Sequence, residues 1–314
     1  MRSIKQIIAA KAITEGLRYL EKDPLQNYSK LLGWAEKFAV TPEHKKIIRS
    51  FKELSQTENN WFRLITRAVD DIDLNIQKKL LINFFVNSGL VGIPLKNKIA
   101  KEHEINIPWA VLMDPTAACN LRCAGCWAAE YKKSDSLSFE TLDRIIREGK
   151  ELGIYMYIYS GGEPLMRKKE LIKLAERHDD CMFLSFTNGT LIDETFCREL
   201  ARVGNLVLAI SIEGSEEETD LRRGKGTYQK VIRAMELLKS QRCGFGFSAC
   251  YHSKNISGVA SEEFIDLMIE KGALFGWYFT YIPLGRSAVP ELLVSAEQRE
   301  FMYHRLRQFR KTKD

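Results

Sequence analysis

The sequence predicts an α/β protein: an open, partial (β/α)6 barrel preceded by an all-helical N-terminal domain. Three observations lead there. From about residue 109 onward, short apolar or β-branched runs alternate with helical patterns, as they do in βα units that build a parallel sheet. Six such runs are present, too few for a closed eight-unit barrel. Before residue 105 the apolar spacing is helical throughout.

Length and composition agree with two units. A chain of 314 residues with 45% hydrophobic content can bury a sizeable core but exceeds one small domain, so residues 1–105 and 106–314 are assigned to separate domains. The 47 basic and 41 acidic residues leave a charge of +6, spread over the chain and too mild to call for a nucleic-acid partner. Seven cysteines, three clustered and four scattered, do not form an even disulfide framework, which points to a reducing cytoplasmic setting.

The N-terminal stretch MRSIKQIIAAKAITEGLRYLEKDP carries Lys, Glu and Arg between its apolar positions and reads as an amphipathic helix, not a signal peptide. Breaks are expected at Asp23-Pro24, Thr41-Pro42, Gln56 to Asn60 and Gly89 to Pro94, with Thr41 as the N-cap of the helix that Pro42 opens. The apolar run Leu80 to Ile93 is interrupted by Asn83, Asn87 and Ser88 and falls short of the roughly 18–20 residues that a spanning helix needs. Gln77 to Ile99 reads as an amphipathic hairpin with basic ends, for which packing on the barrel is preferred to a membrane surface.

In the second domain the strands are expected at Trp109 to Met113, Tyr155 to Tyr159, Met182 to Phe186, Leu206 to Ile212, Phe245 to Tyr251 and Leu274 to Ile282. Helices are expected at Ser138 to Leu152, Lys168 to His178, Asp193 to Val203, Thr227 to Ser240, Ser261 to Lys271 and Ser295 to Lys311. Parallel sheets bind ligands at the carboxyl ends of their strands. The motifs Cys119 to Cys126, Ser160 to Pro164, Thr187-Asn188-Gly189 and Ser211 to Gly214 follow four consecutive strands, so all are expected on one rim.

CNLRCAGC supplies Cys119, Cys123 and Cys126 within eight residues. Thiolates suit iron, and a fully ligated [4Fe–4S] cluster takes four of them, so three would leave one iron open. By itself the spacing also suits a zinc loop or an electron carrier without further chemistry.

Taken with Gly161-Gly162-Glu163-Pro164 after the second strand, the C-x3-C-x2-C motif resembles the radical S-adenosylmethionine (SAM) superfamily over about residues 108–311. The resemblance implies a radical SAM barrel, a [4Fe–4S] cluster and SAM as cofactors, and reductive cleavage of SAM to a 5′-deoxyadenosyl radical that abstracts hydrogen from a substrate. It implies that the backbone of Gly161 and Gly162 and the Glu163 carboxylate hold the cofactor's amino group. Glycine permits close backbone approach, and a carboxylate pairs with an ammonium.

The segment SIEGSEEETDLRRG further resembles peptide-modifying members, which implies Ser211 at the ribose and Arg223 at the cofactor's carboxylate, or Arg222 if the register differs by one. Asn188 is expected near the adenine or as a turn residue. Many members carry an aromatic residue before the third cysteine; here Gly125 stands there and Trp127 follows, so Trp127 is expected either to take the adenine contact or to pack on the next loop.

That segment and the Pro283-Leu284-Gly285 turn resemble members with a C-terminal SPASM or related auxiliary-cluster domain, which the chain stops short of, as a truncated or short form. The implied partners are SAM, a reductant such as flavodoxin or ferredoxin, and a substrate that is a peptide or a small cofactor or lipid precursor.

Cys181, Cys197, Cys243 and Cys250 are read as structural, His252 as a rim residue, and Tyr155, Tyr157 and Tyr159 as one strand face packed in the core. Glu216 to Asp220 is read as a solvated acidic loop.

Overall fold

In a computed structural model of the protein, residues 4–22, 24–38, 42–54, 60–129, 135–284 and 287–313 are described. Asp23, Thr41, residues 56–59 and Gly285, to which sequence expectations were attached, lie outside them. The N-terminal part is helical: α1 (Ile4–Lys22), α2 (Pro24–Phe38), α3 (Pro42–Leu54), α4 (Asn60–Asp71), α5 (Leu74–Leu81), a π-helical stretch Ile82–Gly92, and α6 (Ile93–His103).

Six parallel strands follow in the spatial order β1 to β6: β1 (Val111–Thr116), β2 (Met156–Gly161), β3 (Met182–Thr187), β4 (Leu206–Ser211), β5 (Phe245–Tyr251) and β6 (Gly276–Thr280). Between them run α7 (Phe139–Glu151), α8 (Lys168–Arg177), α9 (Glu194–Val203), α10 (Glu216–Arg223), α11 (Thr227–Ser240), α12 (Ile256–Val259) and α13 (Glu262–Glu270), with α14 (Ala296–Thr312) last. Because β1 and β6 are the two ends of that order, the sheet is an open partial barrel.

Local sequence sets the helix starts. Ser138, Asp193 and Ser261 each accept a hydrogen bond from a backbone N–H of the first turn of α7, α9 and α13. Ser295 opens α14 with a reciprocal capping box to Gln298.

Strand alternation then divides the sheet's two faces. Tyr157, Tyr159 and Phe183 turn outward into the core beneath the helices, with ring centroids 5.8 and 5.6 Å apart, so the tyrosine face is core. Each such fully buried side chain contributes about 1.5–3 kcal/mol. The inner face carries Ile158, Leu184 and Ala209 low in the barrel, packed by Ala110, Met156, Phe186 and Val207.

Three expectations are corrected. The first strand lies at Val111–Thr116, not Trp109 to Met113, and Trp109 is 58% exposed. Asp114-Pro115 reads as a strand end, but β1 is an edge strand with a register shift between Met113 and Thr116, and an edge tolerates the missing proline N–H.

Glu216 to Asp220 is not a loop but the start of α10, where Ser215 and Glu218 form a capping box.

Gln77 to Ile99 is not a hairpin. Backbone conformation stays right-handed helical through Ile82, Gly92 and Ile93, so α5, the π stretch and α6 form one run. Pro94 offers no N–H to Leu90, and the switch to i→i+5 bonding, as in Ile93 N–H to the Ser88 carbonyl, carries the helix past it. One side of this run packs on the barrel as expected. Asn83 donates to the carbonyls of Asp179 and Cys181 and Asn87 to that of Asp180, before β3. Asn75 donates to the carbonyls of Ala201 and Arg202, before β4, and Arg242, before β5, donates to those of Asp70 and Ile72. The run therefore covers the N-terminal ends of the strands, opposite the rim that carries the motifs.

Candidate active site at the carboxyl rim

Cys119, Cys123 and Cys126 lie on the loop leaving β1; all three thiols are free, the first exposed and the others half-buried. Four neighbours fix this loop. Glu163 N–H donates to the Ala118 carbonyl (2.8 Å), Asn120 Nδ2 donates to Thr190 Oγ1 (2.8 Å), Asn188 Nδ2 donates to Asn120 Oδ1 (2.8 Å), and Ala124 N–H donates to the Arg222 carbonyl (2.8 Å). Partial burial pushes the Cys123 thiol up, against the opposing pull of Arg223 and Arg222.

Among the described residues no three His, Cys, Asp or Glu side chains converge to hold one metal ion. A cluster makes no such demand, since each thiolate takes a different iron. Three free thiols on one tethered loop, beside two guanidinium groups, fit the anionic cluster implied by the sequence.

Gly125 has φ +65°, and a Cβ there would lie 2.5 to 2.9 Å from the hydroxyl and ring of Tyr281. That ring is 2% exposed and its hydroxyl accepts the Val289 N–H. This is why no aromatic residue precedes Cys126; Trp127, just after it, is 45% exposed.

After β2, Gly162 N–H donates to the Thr116 carbonyl at 2.9 Å, and a Cβ on Gly162 would run into the carbonyls of Ala117 and Ala118. The glycine thus permits the second strand end to close on the cysteine loop. Glu163 is 1% exposed and accepts from Thr187 Oγ1 (2.7 Å), Asn188 N–H (2.7 Å) and Leu165 N–H (2.9 Å). Burial raises its carboxyl pKa, although those three bonds and the Arg223 charge pull the other way. Its carboxylate ties β2 to the turn after β3. Asn188 closes that turn by accepting from Thr190 and reaches the cysteine loop through Asn120.

Ser211 shares a hydrogen bond of 3.1 Å with Ser248, its register partner on β5. Arg223 donates through Nε and Nη2, and Arg222 through Nη1 (2.6 Å), to one oxygen of Glu213, which is fully buried. Asp220 accepts from the N–H groups of Gly226 and Tyr228, joining the end of α10 to the start of α11 and setting the turn from which both arginines project.

His252 follows β5, 4% exposed; its Nδ1 accepts the Lys254 N–H, and burial pushes the imidazole down to about 4. Cys250, near Arg222, Glu213 and Cys126, has its thiol pushed up to about 11 by burial. Glu213 Oε2, Arg222 Nε, His252 Nε2 and, at the end of β1, Asp114 Oδ1 are buried without a hydrogen-bond partner among the described residues. Unsatisfied buried polar atoms are costly; others lie in the core, at Tyr159, His178 and Asn205, and the four here share one rim, which fits a polar ligand.

The structure thus gathers Cys119, Cys123, Cys126, Gly161, Gly162, Glu163, Asn188, Ser211 and Arg223 at one rim, with Trp127 on the same loop as the cysteines. Sequence reasoning missed Asp114 and the part played by Glu213. The latter was visible as the acidic residue of Ser-Ile-Glu-Gly; the former had no signal beyond its place before Pro115. Cys181, Cys197 and Cys243 are buried in the core, as expected of structural cysteines.

Residues 113–267 match the sequence model of the Radical SAM superfamily. Fe-coproporphyrin III synthase of Methanosarcina barkeri is 28% identical over 197 residues, which cover 60% of this chain and 49% of that protein. The serine-type anaerobic sulfatase-maturating enzyme of Klebsiella aerogenes is 28% identical over 236 residues, 69% of this chain and 58% of that one. The chain therefore spans about half the length of these curated relatives. Streptococcus suis SuiB, in a crystal structure bound to S-adenosylmethionine, shares the fold with a TM-score of 0.58 at 17% identity, covering 72% of this chain and 54% of SuiB. Residues 113–267 are therefore assigned to the radical SAM superfamily, whose cofactors are a [4Fe–4S] cluster and S-adenosylmethionine.

Proposed function

We propose that this chain reductively cleaves SAM and directs the resulting radical at a substrate, with Cys119, Cys123 and Cys126 holding the cluster. The observation that carries the reading is the rim itself, where a tethered three-thiol loop shares one end of the sheet with four buried, unsatisfied polar atoms on β1 and on the segments after β4 and β5. When bound, the cluster and SAM together supply a 5′-deoxyadenosyl radical able to take an unactivated hydrogen.

The chain's own residues bind and orient. The backbone at Gly161 and Gly162 receives the cofactor's amino group. The Glu163 carboxylate, expected from the sequence at that amino group, is 1% exposed and already engaged by Thr187, Asn188 and Leu165, so it acts instead as a positioning residue that fixes this strand end. Ser211 offers its hydroxyl to the ribose. Arg223 is oriented by Glu213 through Nε and Nη2, which leaves Nη1 outside that clamp for the cofactor's carboxylate. Asn188 and Trp127 bound the adenine side.

On the inner face, Phe186, Trp277 and Phe279 meet with centroids 5.3 to 6.0 Å apart and the last two are 36% and 41% exposed, so apolar surface stands open to a substrate and limits water near it. The names of the relatives, a sulfatase-maturating enzyme and a porphyrin synthase, support a peptide or a small cofactor precursor as substrate. A flavodoxin- or ferredoxin-type reductant in a reducing cytoplasm would supply the electron. No helix among the described residues is long and apolar enough to cross a membrane.

The test is direct. Anaerobic reconstitution should load about four irons and four sulfides per chain, and dithionite with SAM should then yield 5′-deoxyadenosine. Iron loading without nucleoside production would leave an electron carrier, and zinc in place of iron would leave a structural metal site.

A further inference from the structure

The helical run from α5 through α6 has a second face that the barrel does not use. Ile82, Asn83, Val86, Asn87 and Gly92 are buried toward the strand ends, whereas Leu80, Phe84, Phe85, Leu90 and Ile93 are 42 to 50% exposed. The π-helical pitch keeps the two sets apart. Phe84 and Phe85 rest edge to face, centroids 5.6 Å apart, on the outward side. Large apolar side chains gathered on one exposed face mark an interaction surface.

The charge around this face selects the partner. From Leu74 to Lys101 there is no Asp or Glu, while Lys78, Lys79, Lys96, Lys98 and Lys101 flank the apolar centre at both ends. Lys79 is held by Asp179 of the barrel and Lys98 lies 3.7 Å from Glu102, but Lys96 and Lys101 add to a basic border with no acid inside it. An apolar aromatic and aliphatic centre within a basic rim is the chemistry of a helix that lies in the headgroup layer of an anionic bilayer.

We propose that the face formed by Leu80, Phe84, Phe85, Leu90 and Ile93 docks this protein peripherally on an anionic lipid surface. The run neither spans the bilayer nor unfolds to bind, because its other face is anchored through Asn75, Asn83 and Asn87. Since it covers the N-terminal strand ends, docking leaves the cysteine-bearing rim turned away from the membrane and open to solution. The inference does not depend on the proposed chemistry.

Flotation of the purified chain with two vesicle types tests it: phosphatidylcholine alone, and phosphatidylcholine with about one quarter phosphatidylglycerol. The expected result is binding to the anionic vesicles that weakens as salt rises from about 0.1 to about 1 M. A Phe84→Ser/Phe85→Ser/Leu90→Ser variant should lose at least about tenfold in partitioning, and a Lys96→Gln/Lys101→Gln variant should lose the preference for anionic lipid. Circular dichroism and thermal midpoints should match the parent for both, as Phe84, Phe85, Leu90 and Lys101 are exposed and glutamine keeps the part of the Lys96 stem that lies by Gly153. No binding to either vesicle, or equal binding by the triple-serine variant, overturns the proposal. A parent dimer in sedimentation equilibrium that the triple-serine variant dissolves also overturns it and assigns the face to a second copy of the chain.

Discussion

Replacing Glu213 by glutamine is expected to cost the folded protein about 3 kcal/mol and to loosen the cysteine loop. The carboxylate is fully buried and one of its oxygens accepts three N–H groups from Arg222 and Arg223, whose side chains are only 10% and 11% exposed. Removing one member of a buried ion pair costs about 3–5 kcal/mol, because the remaining charge stays buried without compensation. Glutamine keeps an acceptor oxygen, which sets the lower end of that range; alanine should approach the upper.

The loss reaches the cysteine loop because Ala124, between Cys123 and Cys126, is held by the Arg222 carbonyl at 2.8 Å. Urea denaturation of the metal-free protein gives the first quantity, and iron bound per chain after reconstitution gives the second. Adding Arg223→Gln to the glutamine variant should cost less than the two single changes summed, since one charge then balances the other's loss. A glutamine variant within about 0.5 kcal/mol of the parent, with full iron loading, would refute the idea that this carboxylate organises the rim.

Three further outcomes are expected. Cys123→Ala should abolish iron loading while leaving the circular dichroism spectrum unchanged, because a half-buried loop thiol contributes little to the core; retained iron would remove it from the ligand set. Glu163→Ala should leave three donors without their acceptor, cost roughly 1–3 kcal/mol per buried unsatisfied group, keep the cluster and weaken SAM binding by calorimetry; unchanged SAM affinity counts against its positioning role. His252, pushed down to about 4 by burial against an unfolded value near 6.5, stays neutral in the fold while the unfolded chain takes up a proton. Its stabilising effect is therefore complete above about pH 6.5 and is lost as pH falls toward 4, by about 3 kcal/mol. His252→Gln should flatten that part of the stability profile, and an unchanged slope would show that other groups govern it.

Much of the architecture is encoded locally. Alternation of β-branched runs with capped helical patterns is a short-range property, so Ser138, Asp193, Ser261 and Ser295 mark helix starts in the sequence and do so in the structure. The cysteine spacing and the Gly-Gly-Glu turn are likewise contiguous, and both lie at strand ends because a parallel sheet puts every such loop on the same rim. The capping box Ser215-Glu218 was equally legible, and reading its acidic run as a solvated loop overlooked it.

What only the tertiary structure decided depends on partners far apart in the chain. Pro94 reads as a stop, yet the barrel's strand ends supply acceptors for Asn83 and Asn87 that hold the helix through it. Asp114-Pro115 reads as the end of a strand, yet β1 lies at a sheet edge, where proline is tolerated. Gly125 reads as a departure from a family pattern, and Tyr281, arriving from beyond β6, explains it. Nor can spacing aim a side chain: Arg222 and Arg223 could each have faced solvent, and their convergence on Glu213 follows from the Ser215 cap of α10 and from Asp220, which accepts from the Gly226 and Tyr228 N–H groups where α11 begins. The sequence by itself determined which side-chain types follow each strand and that a single rim presents them. Packing between distant segments determined which of those groups are already paired within the protein and which are left to meet a ligand.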